Sequence, residues 1–305
     1  MPRMMRFLGL AAMLVLCANA AASAAVVVSS KLSSESAIIG EMLRLLLNAN
    51  GIQTVDRMTL AGTPIMRRAI IAGEIDLYVE YTGNAAFFFN RASDPAWKDL
   101  DQGYQLGSRL DYQAHKIVWL TPANASNAWA LAVREDVAKP NGLNTMSDFG
   151  RWVSGGAALV LACSAEFANS STLRSLENTY GFTLRPDQLI VLAGGDTSAT
   201  IRAAAERTNG TNTAMVYTTD GAIVEAHLRI LEDDRHDQPV YAPVPIIRES
   251  VLRANPKIAE IIKPLMQSFT QEKLQRLNER VQMDGEAPSA VAQDYLKAAG
   301  LLGSR

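Results

Sequence analysis

The run Gly73-Glu74-Ile75-Asp76-Leu77-Tyr78-Val79-Glu80-Tyr81-Thr82-Gly83-Asn84 gathers a carboxylate, a phenol, a hydroxyl and an amide into its last five positions. Residues 75–79 read as a short buried strand, which puts Glu80 to Asn84 at its C-terminal end. Ligands collect at that end of the strands in open α/β sheets. The chemistry on offer is recognition rather than bond-making. A hydrolase needs a nucleophile with a base, or a metal site. The chain has no Gly-x-Ser-x-Gly, no His-Glu-x-x-His and no Cys-x-x-Cys. His115, His227 and His236 are scattered, with no pair at helical spacing. Gly194-Gly195-Asp196 precedes an expected helix, as a phosphate cradle would. It lacks the Lys-Ser/Thr of a P-loop and reads as a structural turn. No enzyme activity, metal or cofactor is expected.

The elements around the run must hold it in place. Pro64 to Ala72 carries apolar residues at helical spacing, and Gly73 ends that helix by taking a left-handed C-cap without steric cost. Upstream, 26–28 reads as a strand. Ser33 or Ser34 then caps a helix over 35–49, whose Ile38, Ile39, Met42, Leu43, Leu46 and Leu47 form an apolar face. A second strand is expected at 53–58. This alternation implies a mostly parallel sheet covered by helices. Strands are also expected at 116–120 and 129–133, the latter approached through the polar stretch 122–127. A second set starts near Thr145: strand 158–163, helix 165–180, strand 189–192, helix 197–207 headed by Asp196, and strand 214–217. A proline-punctuated extended segment follows at 239–247, and 255–302 is helical with breaks at Gly285 and Pro288. The residues alone predict an α/β chain of two parallel-sheet units with a helical tail.

Four segments carry a family resemblance: Asp-Leu-Tyr-Val-Glu-Tyr-Thr-Gly (76–83), Ser-Asn-Ala-Trp-Ala-Leu-Ala-Val (126–133), Met-Val-Tyr-Thr-Thr-Asp-Gly (215–221) and Pro-Val-Tyr-Ala-Pro-Val-Pro (239–245). Together they resemble the periplasmic binding proteins that serve glycine betaine and choline importers, and within that family the OsmF (YehZ) branch. The resemblance covers essentially the whole mature chain. It implies a two-lobed type II periplasmic binding protein fold, each lobe a mostly parallel sheet flanked by helices. Lobe 1 would comprise 25–126 and 240–305, and lobe 2 would comprise 127–239. Crossing segments near Asn127 and Pro239 would form the hinge. The implied partners are a small quaternary amine and an ABC permease with its ATPase subunits, the protein itself being monomeric.

A quaternary ammonium group cannot donate a hydrogen bond, so hydrogen-bond acceptors alone recognise it poorly. A cage of aromatic faces does better: the negative quadrupoles attract a diffuse cation and the ring surfaces accept its methyl groups. The resemblance implies cage positions at Tyr81, Trp129, Tyr217 and Tyr241. Relatives commonly carry Tyr at the Trp129 position, and Trp is the stronger cation–π partner. Tyr78 and the run Phe87-Phe88-Phe89 read instead as packing residues. Candidate donors to a ligand carboxylate are Lys31, which matches a family position, Thr63 at a helix N-terminus, and Asn84 through its amide. Their alternatives are a solvated lysine, a helix cap and a turn asparagine. Glu80 and Asp220 either complement the ammonium or hold loops and salt bridges. Relatives usually carry an arginine shortly after a Glu-Phe pair, bidentate on the substrate carboxylate. Here Glu166-Phe167-Ala168-Asn169-Ser170 has Ser at that place, with Arg174 one helical turn later as a candidate substitute. This departure predicts weaker betaine binding, or a tilt toward a carboxylate-free cation such as choline. A binding or sensor protein for another small zwitterion or amino acid is the alternative reading.

Composition fits these expectations. With 305 residues, 48% hydrophobic and 20% charged, the chain is long enough for two ordinary domains. A formal charge of −2 points to neither nucleic acid nor an acidic membrane surface. Arginines at 3 and 6 precede an apolar run over 7–17 and small residues up to Ala25, the pattern of a secretory signal peptide over 1–24. The apolar run is too short to span a bilayer, so a soluble periplasmic protein is expected. Cys17 follows Leu16, where a lipid-attachment site wants a small side chain, which argues against an anchor. Cys163 is then the single mature cysteine, and its neighbours Leu159 to Ala162 make it a buried strand residue.

Overall fold

The computed structural model describes residues 24–193 and 197–302. Residues 1–23 of the expected signal peptide, Cys17 among them, lie outside the described residues, as does the Gly194-Gly195-Asp196 turn. Strands run at β1 (Val26–Lys31), β2 (Thr54–Ala61), β3 (Leu77–Tyr81), β4 (Ile117–Trp119), β5 (Trp129–Arg134), β6 (Leu161–Ser164), β7 (Leu189–Leu192), β8 (Thr213–Tyr217), β9 (Leu228–Ile230) and β10 (Pro243–Arg248).

They form two five-stranded sheets, ordered β2-β1-β3-β10-β4 and β7-β6-β8-β5-β9. In the first, β1 pairs in parallel with β2 and β3, while β10 runs antiparallel to both β3 and β4. The second repeats this plan: β6 is parallel to β7 and β8, and β5 is antiparallel to β8 and β9. Each sheet therefore carries one antiparallel strand that the alternating sequence pattern did not disclose. The chain leaves the first sheet after β4 and rejoins it only at β10.

Apolar burial on both faces holds each sheet. The helix Ser34–Ala49 and the C-terminal helices Lys257–Ser268, Gln271–Gln282 and Pro288–Ala298 cover one face of the first sheet, through Ile39, Leu43, Ile262, Leu277 and Leu296. The helix Thr63–Ala72, Trp97 and Trp119 cover the other. In the second sheet, Phe149, Phe167 and Leu176 pack on one side and Ile201, Ala204 and Ile223 on the other. Cys163 is fully buried in the former cluster, and burial pushes its thiol up to about 11, consistent with a packing role.

Several boundaries differ from expectation in ways that matter for the site. β3 sits two residues later than 75–79, because the Asp76 carboxylate takes the Val27 N–H at 2.9 Å. Glu80 and Tyr81 consequently lie inside the strand, paired with Val244 and Pro243 of β10. Gly73 does close the preceding helix at φ 78°, in the left-handed region. The expected helix 165–180 is broken into Ala165–Ala168 and Ser171–Tyr180, each capped by a serine, Ser164 and Ser170. The helix Leu100–His115 and strand β9 were not anticipated.

Two connections, 120–128 and 231–242, cross between the sheets side by side. The Asn127 N–H donates to the Tyr241 carbonyl at 2.9 Å, and the Ala123 N–H to the Pro243 carbonyl at 2.8 Å.

Candidate ligand-binding cleft

A cavity of about 930 Å³ opens between the two sheets, at the C-terminal ends of β1, β3 and β8 and the start of β5. All eight candidate residues line it: Lys31, Thr63, Tyr81, Asn84, Trp129, Tyr217, Asp220 and Tyr241.

Strand pairing places two of the rings. Trp129 opens β5 directly opposite Tyr217, which ends β8. Their rings stack with centroids 6.4 Å apart and planes 28° from parallel, a cross-strand aromatic pair. Phe167 supports Trp129 edge-on from below at 5.4 Å. The other two rings come from the first sheet. Tyr81 ends β3, and its hydroxyl donates to Glu35 at 3.0 Å. The Tyr241 ring lies against Gly83, where a Cβ would approach within 2.7 Å of the ring. Only glycine leaves Tyr241 that place. The phenol of Tyr217 is close enough to help raise both Tyr81 and Tyr241, each already held above the ordinary tyrosine range by burial. Burial pushes Tyr217 itself up to about 12.

The charges of the cleft fall into two groups. Among the described residues, the two cations of its lining, Lys31 and Arg67, are already paired. Lys31 makes a buried ion pair with Glu80, which also accepts from the Tyr78 hydroxyl at 2.8 Å and the Asn84 amide at 2.6 Å. Burial lowers Lys31 below the ordinary lysine value, against the opposing pull of Glu80. Arg67 grips Asp111 with two bonds of 2.7 and 2.5 Å, and Asp111 accepts from the Trp119 indole as well. The remaining charged residues of the lining are Glu35, Glu166 and Asp220. None of these three forms an ion pair among the described residues. Asp220 accepts from the Tyr217 N–H at 2.7 Å and the Gln282 amide at 3.1 Å. Burial nevertheless pushes its carboxyl up to about 6.

Such a site can hold a cation against aromatic faces within an acidic surround. Residues 24–298 match the family described as the substrate-binding domain of the ABC-type glycine betaine transport system, OpuAC. The chain belongs to this family. It is 45% identical over 280 residues to the glycine betaine-binding protein YehZ of Escherichia coli K12, covering 92% of each chain. It is 28% identical to a glycine-betaine-binding protein of Pseudomonas aeruginosa, over 99% of this chain and 96% of that one. The structure of apo YehZ superposes with a TM-score of 0.75, covering 91% of this chain and 99% of the other. As a member of the family, the chain is a substrate-binding protein of ABC transport with the two-lobed α/β fold expected from its sequence.

Other residues settle differently. Tyr78 is fully buried in the core and Tyr112 hydrogen-bonds Glu249 outside the cleft, so neither lines it. Phe87 and Phe88 do line it, contrary to a pure packing reading, and Phe88 lies under the Arg67 guanidinium at 4.7 Å. Phe89 alone packs against the core. Ser170 lines the cleft, but as the cap of the helix beginning at Ser171, accepting from the Leu173 N–H at 3.0 Å. Arg174 is exposed, bonds back to the Asn169 carbonyl at 3.1 Å and does not reach the lining. Arg174 therefore does not replace the arginine missing at Ser170.

Sequence reading missed the floor of the cleft, made by Glu35, Asn127, Asn278 and Gln282. One signal was present. Gln271, Gln275, Asn278 and Gln282 follow one another at helical spacing, an amide stripe on the helix Gln271–Gln282. Gln271 and Gln275 donate to the Thr218 carbonyl, Asn278 to the Thr219 carbonyl and Gln282 to Asp220, at 2.8 to 3.1 Å. Gly221 permits this approach, since a Cβ there would lie 2.3 Å from the Gln275 carbonyl.

Proposed function

We propose that this protein binds quaternary ammonium osmolytes, with choline and glycine betaine leading, for an ABC importer. The observation that carries the reading is the combination of four aromatic residues lining one cavity with carboxylates that form no ion pair among the described residues. Tyr81, Trp129, Tyr217 and Tyr241 border one cavity whose cations, Lys31 and Arg67, are already neutralised. Glu35, Glu166 and Asp220 leave an acidic surround for a cation that cannot itself donate a hydrogen bond. Each desolvated cation–π contact contributes ~0.5–2 kcal/mol, so several together give useful affinity. YehZ and the Pseudomonas relative are named for glycine betaine, which supports the ligand class.

The same arrangement supports the reading of charge preference. With the Lys31 Nζ and the Asn84 amide both engaged by Glu80, Thr63 at the N-terminus of its helix is the remaining candidate donor for a ligand carboxylate. Betaine therefore binds modestly and choline more tightly. Lobe 1 (25–126 and 240–305) and lobe 2 (127–239) close about the crossing segments. Closure creates the face that docks on a membrane permease with its ATPase subunits. The protein works as a periplasmic monomer, exported by its first 24 residues. Among the described residues no helix is long and apolar enough to cross a membrane.

Isothermal calorimetry with choline, glycine betaine, carnitine and a neutral amino acid tests the reading. Binding of the quaternary amines, choline ahead of betaine, is expected. Tight binding of the amino acid with no response to any quaternary amine would overturn it.

A further inference from the structure

Among the described residues, Asn127 Oδ1, Thr219 Oγ1, Asn278 Oδ1 and Gln282 Oε1 are buried side-chain polar atoms that lack a hydrogen-bond partner. Every one of these residues lines the same cleft. Thr219 is 0% and Asn278 2% exposed, so these are interior groups rather than rim groups. Native proteins pair nearly all buried polar groups, and a cluster of exceptions at one place calls for a physical cause.

The cause is visible in how the amides are oriented. Asn127 and Asn278 turn their nitrogens to the two oxygens of Glu35, at 2.8 and 3.0 Å, and Gln282 turns its nitrogen to Asp220. Reversing any of these amides would set a carbonyl against a carboxylate. The carboxylates thus force three amide oxygens to face elsewhere, leaving acceptors in excess. A trimethylammonium group has no proton for them.

We propose that the floor of the cleft, walled by Asn127, Thr219, Asn278 and Gln282 between Glu35 and Asp220, is a subsite for a hydrogen-bond-donating group of the ligand. The proposal rests on the quaternary-amine reading above and sharpens it. The cage holds the cation, and the floor selects molecules that also carry a hydroxyl or N–H. Glycine betaine, with a carboxylate at its other end, offers no such proton. Choline does, through the hydroxyl two carbons from its nitrogen. A site with buried acceptors discriminates strongly against an isostere that lacks the donor, because the acceptors then stay unpaired.

The test compares choline with n-propyltrimethylammonium, which replaces the hydroxyl by a methyl at nearly constant shape and charge. Calorimetry on the mature chain should show choline binding on the order of 10- to 100-fold tighter. In Thr219→Val and Gln282→Met, each close to isosteric, the ratio of choline to n-propyltrimethylammonium affinity should fall several-fold. Equal binding of the two compounds by the parent would overturn the subsite, since solvent alone would then satisfy the floor. The cage reading would survive that result. Absence of binding by both compounds would overturn the cage reading and the subsite with it.

Discussion

The carboxyl of Asp220 offers a sharp physical test of the site, because its charge is held where burial opposes it. Burial raises it from 3.8 to about 6, against hydrogen bonds from Thr197, the Tyr217 N–H and Gln282, and Glu35 is the nearby charge that adds to the rise. The folded-state value lies above the unfolded one, so folding takes up a proton between them. This group therefore destabilises the protein progressively as pH rises from about 4 to about 6, and fully above that. A shift of roughly two units corresponds to about 3 kcal/mol. Asp220→Asn removes the charge and keeps an acceptor for the Tyr217 N–H. Gln282 need only reverse its amide to offer its unpartnered oxygen to the new nitrogen. In the absence of ligand, the variant should melt higher than the parent at pH 7.5, by on the order of 5 °C for a chain of this size. The gap should close as pH falls to 4. Choline binding should show the converse, since the same charge attracts the cation. Parent affinity should rise as pH passes upward through 6, and the variant should be weaker and nearly flat. A melting difference between parent and variant that stays constant from pH 4 to 8 would refute the reasoning. So would choline affinity in the parent that ignores pH over that range.

Two further outcomes are expected. Trp129→Ala should weaken quaternary-amine binding by about 1–2 kcal/mol beyond lost packing, and Trp129→Tyr by much less; calorimetry alongside melting curves separates ring loss from loosened structure, and an Ala variant of parental stability and affinity would make Trp129 a packing residue. Gly83→Ala would put a methyl 2.7 Å from the Tyr241 ring, so binding should weaken at least tenfold with a modest fall in Tm, and unaltered affinity would mean Tyr241 is not needed in its present position.

Much of this site was legible because strand ends and aromatic residues leave local signals. The run 73–84 announced a helix stop, a strand and a ligand edge within twelve letters. Trp129 and Tyr217, eighty-eight positions apart, could be placed together only through the family resemblance, since strand register is a tertiary fact. The helix Leu100–His115 was missed because its buried face is built partly from Gly103, Gly107 and Asp111 rather than from an apolar stripe. Gly107 is close-packed under Trp119, where a Cβ would come within 2.5 Å of the ring. Asp111 is the buried partner of Arg67. Neither role shows in a hydrophobic pattern. The floor escaped for a related reason: Glu35 looks like an ordinary first-turn acid, and an amide stripe looks like a solvated helix face. What distinguishes them is the second lobe packed against them.

That distinction bears on why two buried ion pairs stand in a site for a cation. Separating charge from water is costly, and a buried pair seldom adds net stability over apolar packing. Lys31–Glu80 and Arg67–Asp111 therefore need another justification than strength. Both attach to the strand and helix that carry the ligand-facing groups: Glu80 also holds Tyr78, Asn84 and the Tyr81 N–H, and Arg67 sits under the Phe88 ring. In this arrangement the cations act as internal fasteners, and their neutralisation removes repulsion that a quaternary amine would otherwise meet. Lys31 Nζ lies 4.9 Å from the centroid of the Tyr81 ring. Were Glu80 made Gln, Lys31 would lose its partner, and an uncompensated ammonium would compete with the ligand for that ring. On the proposed reading, cation recognition depends as much on cancelling the protein's own positive charge as on presenting aromatic faces.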